Sequence, residues 1–288
     1  GTGAVVTYGF RSSAGTGGGA NFSQCTAAEM TAIRSILQVW SDVCGITFQE
    51  VNPGGYTNNA TVLIGNYNDP TDGAGAYAYF PGSTASTSSD GDIWLNLGGG
   101  VNPSSIPVGG YTYFAIMHEM GHMLGLDHPG PYNAAPGVSI TYASDAMFLQ
   151  DSEQRTVMSY FDPSDTGANF GGYAETPMLF DILAAQQIYG ANMTTRTGNT
   201  VYGFNSNAGN NAVYDATTNA QLAFCVWDAG GTDTFDFSGY GQDQIISLVA
   251  ASFSNVGGLT SNVSIAYNVT IENATGGSAG DFITGNSL

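Results

Sequence analysis

Residues 118–128 read HEMGHMLGLDH, and all three histidines of the 288-residue chain fall within these eleven positions. His118 and His122 stand four apart, so on a helix their imidazoles leave the same face one turn apart. Gly125 can enter the left-handed region without a Cβ penalty, which lets the chain reverse and bring His128 back as a third nitrogen ligand. Three protein ligands with room for water form the pattern of a catalytic zinc site, whereas structural zinc sites close with four. Glu119 lies beside the pair, where it can take a proton from attacking water. HExxH alone arises often by chance. The extended HExxHxxGxxH, with every histidine of the chain spent on it, points to a metal.

Working outward, the helix that carries this pair is predicted from about Gly110 to Leu124. Upstream, TAAEMTAIRSILQVWSDV (Thr26–Val43) spaces Met30, Ile33, Ile36, Leu37 and Trp40 at helical intervals. Thr26 and Glu29 match a capping box at its start. Short strands are predicted at Val5–Phe10, Thr47–Val51, Thr61–Gly65, Ala76–Phe80 and Asp92–Leu97. The Pro-, Gly-, Asp- and Ser-rich stretch 129–176 reads as long loops with a short helix at Ala143–Phe148. PMLFDILAAQQIY (Pro177–Tyr189) reads as a helix with Pro177 in its first turn and Gly190 at its end. After about Thr195 the texture changes. NAVYD, QLAFCVW, TFDFSG, QIISLVA, SIAYNVTIENA and DFITG read as short β-segments between Gly, Asn and Asp turns. A domain boundary is therefore expected at residues 190–200, and the β pattern stops midway, so the second module reads as truncated.

The charge balance limits the partners. The chain has 23 acidic residues against four basic ones, and its net charge is −19. Nucleic acid would need a basic footprint, and anionic membrane surfaces are disfavoured for the same reason. No apolar run reaches membrane-spanning length. No basic signal peptide is visible and the chain starts at Gly1, so it reads as a processed form. Cys25 and Cys44 flank a helix of roughly 25 Å, too long for a disulfide whose Cα atoms approach within about 7 Å. Free cysteines are expected.

HEMGHMLGLDH resembles the zinc signature of the metzincin peptidases, and VMSYF (157–161) resembles their methionine turn, with Met158 as the hydrophobic base under the metal. Tyr160 stands where the serralysin branch, the secreted bacterial members, carries a tyrosine. The resemblance spans essentially the whole chain, through WSDV (40–43), AYAYFPG (76–82), GHMLGLDHPGPYNA, DILAAQQIYGANMTTRTGNTVYGFNSN, VWDAGGTDTFDFSGY, VGGL and NVSIAYNVTIENATGG. The β-roll entrance and the MSY turn point away from matrixins.

The resemblance implies an α+β fold. Residues 1–195 would form a metzincin catalytic domain, a twisted mixed sheet with long helices. Residues 196–288 would begin a Gly/Asp-rich, calcium-binding parallel β-roll or β-sandwich module. It further implies one catalytic Zn²⁺ on His118, His122 and His128, with Tyr160 coordinating it at rest and then stabilising the oxyanion, and with Glu119 handling protons. Several structural Ca²⁺ ions are implied at Arg196, Gly198 and Thr200, at Asp228, Gly230 and Asp233, at Thr270 and Glu272, and at Asp281. GGSAGDFI (Gly276–Ile283) is the nearest copy of the β-roll repeat. Ala279 stands where a glycine is expected, so that turn is either distorted or shifted onto Gly280. Asp127 precedes the third histidine where serralysins often have a small residue; it either orients a ligand or faces solvent, and solvent is the favoured reading.

The function so implied is a secreted endopeptidase of broad specificity acting on extracellular proteins. An extended polypeptide substrate would pair antiparallel with an edge strand around Ala74–Ala78. A monomer is expected, without stable membrane association, activated by loss of a propeptide and open to a protein inhibitor. A non-catalytic, calcium-dependent extracellular binding module is an alternative that leaves the three ligands, Glu119 and Met158 unexplained. A metzincin-type peptidase of narrow specificity is another.

Overall fold

A capping box opens the first long helix. Thr26 Oγ1 accepts from the Glu29 backbone N–H (3.2 Å) while Glu29 Oε2 accepts from that of Thr26 (2.7 Å), satisfying two donors that a helix start leaves free. The structure is a computed structural model that describes residues 1–15 and 21–287. Helix α1 (Ala27–Val43) buries Met30, Ile33, Ile36, Leu37 and Trp40 along one face, as their spacing predicts.

Five strands make a mixed sheet: β1 (Ala4–Phe10), β2 (Ile46–Glu50), β3 (Val62–Tyr67), β4 (Ala76–Ala78) and β5 (Ile93–Asn96). Their order is β2-β1-β3-β5-β4. All pairs are parallel except the last, where β4 runs antiparallel to β5 at the sheet edge. Strands β3 and β5 are buried on both faces, which accounts for their apolar runs Val62–Ile64 and Ile93–Leu95. Against the sheet lies α2 (Tyr111–Met123), buried at every position from Thr112 onward. Trp40 of α1 supports it, its Nε1 donating to the Met117 carbonyl (3.3 Å). The helix stops where expected, with Gly125 at φ +90°.

Two helix starts differ from the sequence expectation. The short α3 covers Tyr142–Asp145 and ends before Phe148, because the Thr141 side chain caps Ser144 N and fixes the start early. Helix α4 runs Leu179–Tyr189, so Pro177 lies outside it. Asp181 Oδ2 accepts from Met178 N (2.8 Å) and thereby makes Met178 the cap.

Beyond α4 the chain builds β6 (Val201–Gly203), α5 (Asn211–Tyr214), β7 (Phe224–Val226), β8 (Thr234–Asp236), β9 (Gln244–Ser247), β10 (Phe253–Ser254), β11 (Val263–Ile265), β12 (Asn273–Thr275) and β13 (Asp281–Thr284). Strands β7, β8 and β9 pair in parallel, one by one, with β11, β12 and β13. The registers Phe224↔Val263, Thr234↔Asn273 and Gln244↔Asp281 show one pass of chain laid beside a second, the arrangement of a parallel coil. One expected β-segment, NAVYD, is instead α5. Asn210 at φ 43° turns the chain into it, and Val213 and Tyr214 go into the core. The turn at Gly276–Gly280 places none of its residues in the left-handed region, so Ala279 sits there without backbone strain.

One apolar cluster runs from Trp40, Met120 and Ile182 into Tyr202, Phe224 and Ile265. Polar ties reinforce it: Arg196 pairs with Asp42 (2.7 Å) and Thr195 Oγ1 donates to the Asp42 carbonyl (2.7 Å). Cys25, Cys44 and Cys225 are buried and free, as expected. Among the described residues no helix is long and apolar enough to cross a membrane.

Candidate active site

Helix α2 presents His118 and His122 from adjacent turns, and the turn at Gly125 returns His128 to them. Each imidazole is fixed through its far nitrogen. Nδ1 of His118 meets the Val157 carbonyl (2.7 Å), that of His122 the Leu126 carbonyl (2.8 Å) and that of His128 the Tyr132 carbonyl (2.8 Å). A carbonyl only accepts, so all three Nδ1 atoms carry the proton and all three Nε2 lone pairs are free. The Nε2 atom of His128 lies 3.1 Å from that of His118 and 3.0 Å from that of His122. Nitrogens about 2.0–2.1 Å from one tetrahedral zinc would stand about 3.4 Å apart, so the donor set fits that ion with little movement. Burial keeps His118 well below the ordinary histidine range, lowers His122 and holds His128 at about 4. The ligands are therefore neutral at physiological pH. Among the described residues these three are the one group of His, Cys, Asp or Glu side chains whose ligand atoms all lie within 4.8 Å of one another.

The anchoring carbonyls are themselves held. Val157 N and Thr156 Oγ1 donate to the carboxylate of the buried Asp181 (2.8 and 2.6 Å), which sits in the first turn of α4. Burial pushes Asp181 up to about 6 against the pull of those bonds. The Tyr132 ring stacks on His128 at 5.5 Å, and its hydroxyl donates to Asp151 (2.9 Å), which also accepts from Ser159 Oγ (2.8 Å). Asp151 thus ties the loop carrying His128 to the methionine turn. Met158 lies under α2, where a Cβ on Gly121 would come within 2.2 Å of its sulfur. Sequence reasoning missed Gly121, Tyr132, Asp151 and Asp181, because their value lies in contacts made 19 to 37 residues away.

Glu119 points into the cleft. It is buried, its Oε2 has no protein partner, and burial pushes the carboxyl up to about 8. Tyr160 stands opposite, its ring 4.5 Å from that of His128 and 5.6 Å from that of His118. Burial raises its phenol to about 12, so it stays protonated and able to donate. Two hollows flank these residues beneath β4. One, of about 360 Å³, adjoins Gly73–Ala76, His118 and Glu119 and reaches Glu153; the other, of about 300 Å³, adjoins Ala78, Phe80, His122 and His128. Asp127 is exposed and accepts from the His128 backbone N–H (2.8 Å). It turns the chain and faces solvent.

The expected calcium positions divide. Gly198, Thr200, Asp228, Gly230, Asp233 and Glu272 form one hydrogen-bonded group. Asp233 Oδ1 accepts from Thr200 N (2.8 Å), Glu272 Oε2 from Asp233 N (2.6 Å), Asp228 Oδ1 from Gly230 N (3.0 Å), and Gly198 O from Thr200 Oγ1 (3.0 Å). Asp233 Oδ2 is buried without a protein partner. Burial first, then the charges of Asp228 and Glu272, push Asp233 up to about 6. Arg196 adjoins the group with its backbone at φ 50°, but its guanidinium turns to Asp42 and the carbonyls of Ala208 and Trp227. Thr270 is exposed. Asp281 lies apart from the group on β13, accepting from Gln244 N (3.1 Å).

A family model described as matrixin matches residues 20–157, and one described as the serralysin C terminal of peptidase M10 matches residues 191–287. The chain is 46% identical to metallopeptidase AprA of Pseudomonas marginalis, over 98% of this chain and 60% of that one. It is 48% identical to serralysin of Proteus mirabilis over 88% of this chain and 53% of that one, and 46% identical to serralysin B of Dickeya chrysanthemi over 90% and 53%. The chain thus spans a little over half the length of these curated relatives.

Proposed function

The chain belongs to the serralysin family of M10 metalloproteases, and from that premise we propose that it is a secreted zinc endopeptidase cleaving extended polypeptides with broad specificity. The observation that carries this reading is the convergence of three Nδ1-anchored imidazoles beside a carboxylate oxygen that no protein group engages. His118, His122 and His128 hold the zinc, which when bound supplies a Lewis acid for the carbonyl and for water. Glu119, whose ionised form a cation on the three imidazoles would favour, accepts the proton of the attacking water and delivers it to the leaving amine. Tyr160 donates its phenolic hydrogen to the oxygen that turns negative in the transition state; its placement beside the imidazoles also suits coordination of the zinc at rest. The substrate strand adds antiparallel to the free edge of β4. Met158 fills the floor beneath α2.

Residues 1–195 act as the catalytic domain in this reading, and residues 196–288 as a calcium-binding module. Gly198, Thr200, Asp228, Gly230, Asp233 and Glu272, with the Arg196 main chain, offer the hard oxygen donors that Ca²⁺ takes six to eight at a time. Thr270 and Asp281 are assigned to further calcium positions by resemblance. A secreted life, a propeptide, a protein inhibitor and a monomeric state follow from the same family likeness.

Casein hydrolysis in excess calcium tests the proposal, with the chain compared with Glu119→Ala at equal zinc content. Activity confined to the parent chain is expected. Equal activity in both would sink the assignment to Glu119, and zinc-loaded protein that cleaves nothing would sink the peptidase reading itself.

A further inference from the structure

We infer that Glu153 determines specificity in this cleft, and that the pocket it lines takes a basic side chain, lysine or arginine, on the substrate residue immediately C-terminal to the cut. The inference rests on the peptidase reading above and narrows its breadth at one subsite, leaving the other subsites permissive. A substrate antiparallel to β4 enters past Ala78 and Phe80, beside His122 and His128, and leaves past Ala76 toward Gly73. The hollow that begins at His118 and Glu119 and contains Glu153 lies on the leaving side. It therefore receives the first residue after the scissile bond.

Glu153 is only 7% exposed, and its carboxylate makes no hydrogen bond among the described residues. Its position is fixed: its backbone N–H donates to the Phe161 carbonyl (2.9 Å), and its neighbours Ser152 and Gln154 both bond to Thr166 (2.6 and 2.8 Å). No internal cation reaches it. Arg11, Arg34 and Arg196 are paired with Asp92, Glu50 and Asp42, and Arg155 lies over the rings of Phe180 and Phe253. The charged neighbour that does act on Glu153 is Asp162, whose like charge adds to burial in raising the carboxyl well above its ordinary range. With only four basic residues in the chain, a positive partner for this group has to come from outside.

The pocket walls match the rest of such a side chain. Tyr111, Phe114 and Tyr173 line it, with Phe114 and Tyr173 stacked at 5.1 Å. Aromatic faces accept an aliphatic stem and attract a cation. An aliphatic substrate residue would fill the space but leave the buried carboxyl unmatched. Sites whose buried polar groups are left unpaired reject such analogues strongly.

The test uses the zinc- and calcium-loaded chain. Cut sites are mapped in unfolded casein, and kcat/KM is measured on peptides that differ only in the residue after the cut: arginine, lysine, norleucine or glutamate. Arginine and lysine should exceed norleucine by at least about tenfold, and Glu153→Gln should reduce that ratio by a similar factor. Cleavage of casein with no basic preference at the mapped cuts overturns the inference and leaves the peptidase reading intact. An unchanged ratio in Glu153→Gln of full zinc content also overturns it. The wild-type map decides the matter even if that variant does not fold. Absence of any cleavage overturns the peptidase reading and this inference together.

Discussion

At the histidine cluster three neutral imidazoles are oriented entirely by backbone carbonyls, whereas around Asp233 the converging groups are carboxylates that repel one another and rest on backbone N–H donors. The first arrangement is held by bonds within the chain. Its ligands carry no charge to disperse, and a cation arriving there adds chemistry to a finished frame. The second holds Asp228, Asp233 and Glu272 close enough for their charges to act on one another, so a cation there would relieve a cost of folding. The same element, a bound metal, is thus expected to govern rate in one region and stability in the other.

The largest effect should come from Glu119→Gln. We expect kcat/KM to fall by about 10³-fold, within the range for a general acid–base group, with zinc content unchanged. Loss of zinc along with activity would break the distinction between ligands and proton carrier. Tyr160→Phe should lower kcat by on the order of 10²-fold, as removal of one oxyanion donor does, with little change in KM; single-turnover assays would separate the two.

Calcium tests the other half. At a hundredfold excess over its Kd it should add about 2.7 kcal/mol of stability, read as a rise in the Tm of the chain. Asp233→Ala should diminish that rise while leaving zinc affinity in place. An undiminished calcium response in the variant would remove the electrostatic contrast.

Gly121→Ala drives a methyl group toward the Met158 sulfur and should cost about 1–3 kcal/mol by overpacking, with activity falling as α2 shifts. Urea denaturation checks it. The smallest effect belongs to a pair already neutralised within the chain. Arg34 grips Glu50 with two bonds of 2.7 Å and holds its carboxyl below the ordinary range. A carboxylate so lowered stabilises the fold fully above its unfolded value, about 4.3, and loses that contribution as pH falls through the folded value. Arg34→Ala should therefore cost no more than about 1 kcal/mol at pH 7, and the difference from the parent chain should vanish in acid. A gap that persists at pH 3 would assign the effect to packing over Phe10.

Much of this was legible in the sequence. The spacing of Met30, Ile33, Ile36, Leu37 and Trp40 and the capping pair Thr26–Glu29 gave α1, and the eleven residues from His118 gave the trio of histidines that converge to hold a metal. Periodicity and local spacing carry such information because helix and turn are local events. NAVYD escaped because four residues are too few to show a period, and burial of Val213 and Tyr214 decided their conformation instead. Asp181 escaped because nothing near it in sequence reveals that it carries the methionine turn from 24 residues away. Glu153 had no local signature either. Its interest lies in what surrounds it in space, and in the lack of any cation there.

The anchoring of His118 to Val157 spans 39 residues, and this has a bearing on the order in which the chain folds. The imidazole of His118 takes its final orientation only after the long loop has closed and Asp181 of α4 has docked behind Val157. High-affinity metal capture is accordingly a late event, and the visible absorption of a cobalt-substituted chain becomes a clock for it. Followed during refolding, that colour should develop after the helical signal of α1 and α2, at the pace of loop closure and docking and not at that of helix formation.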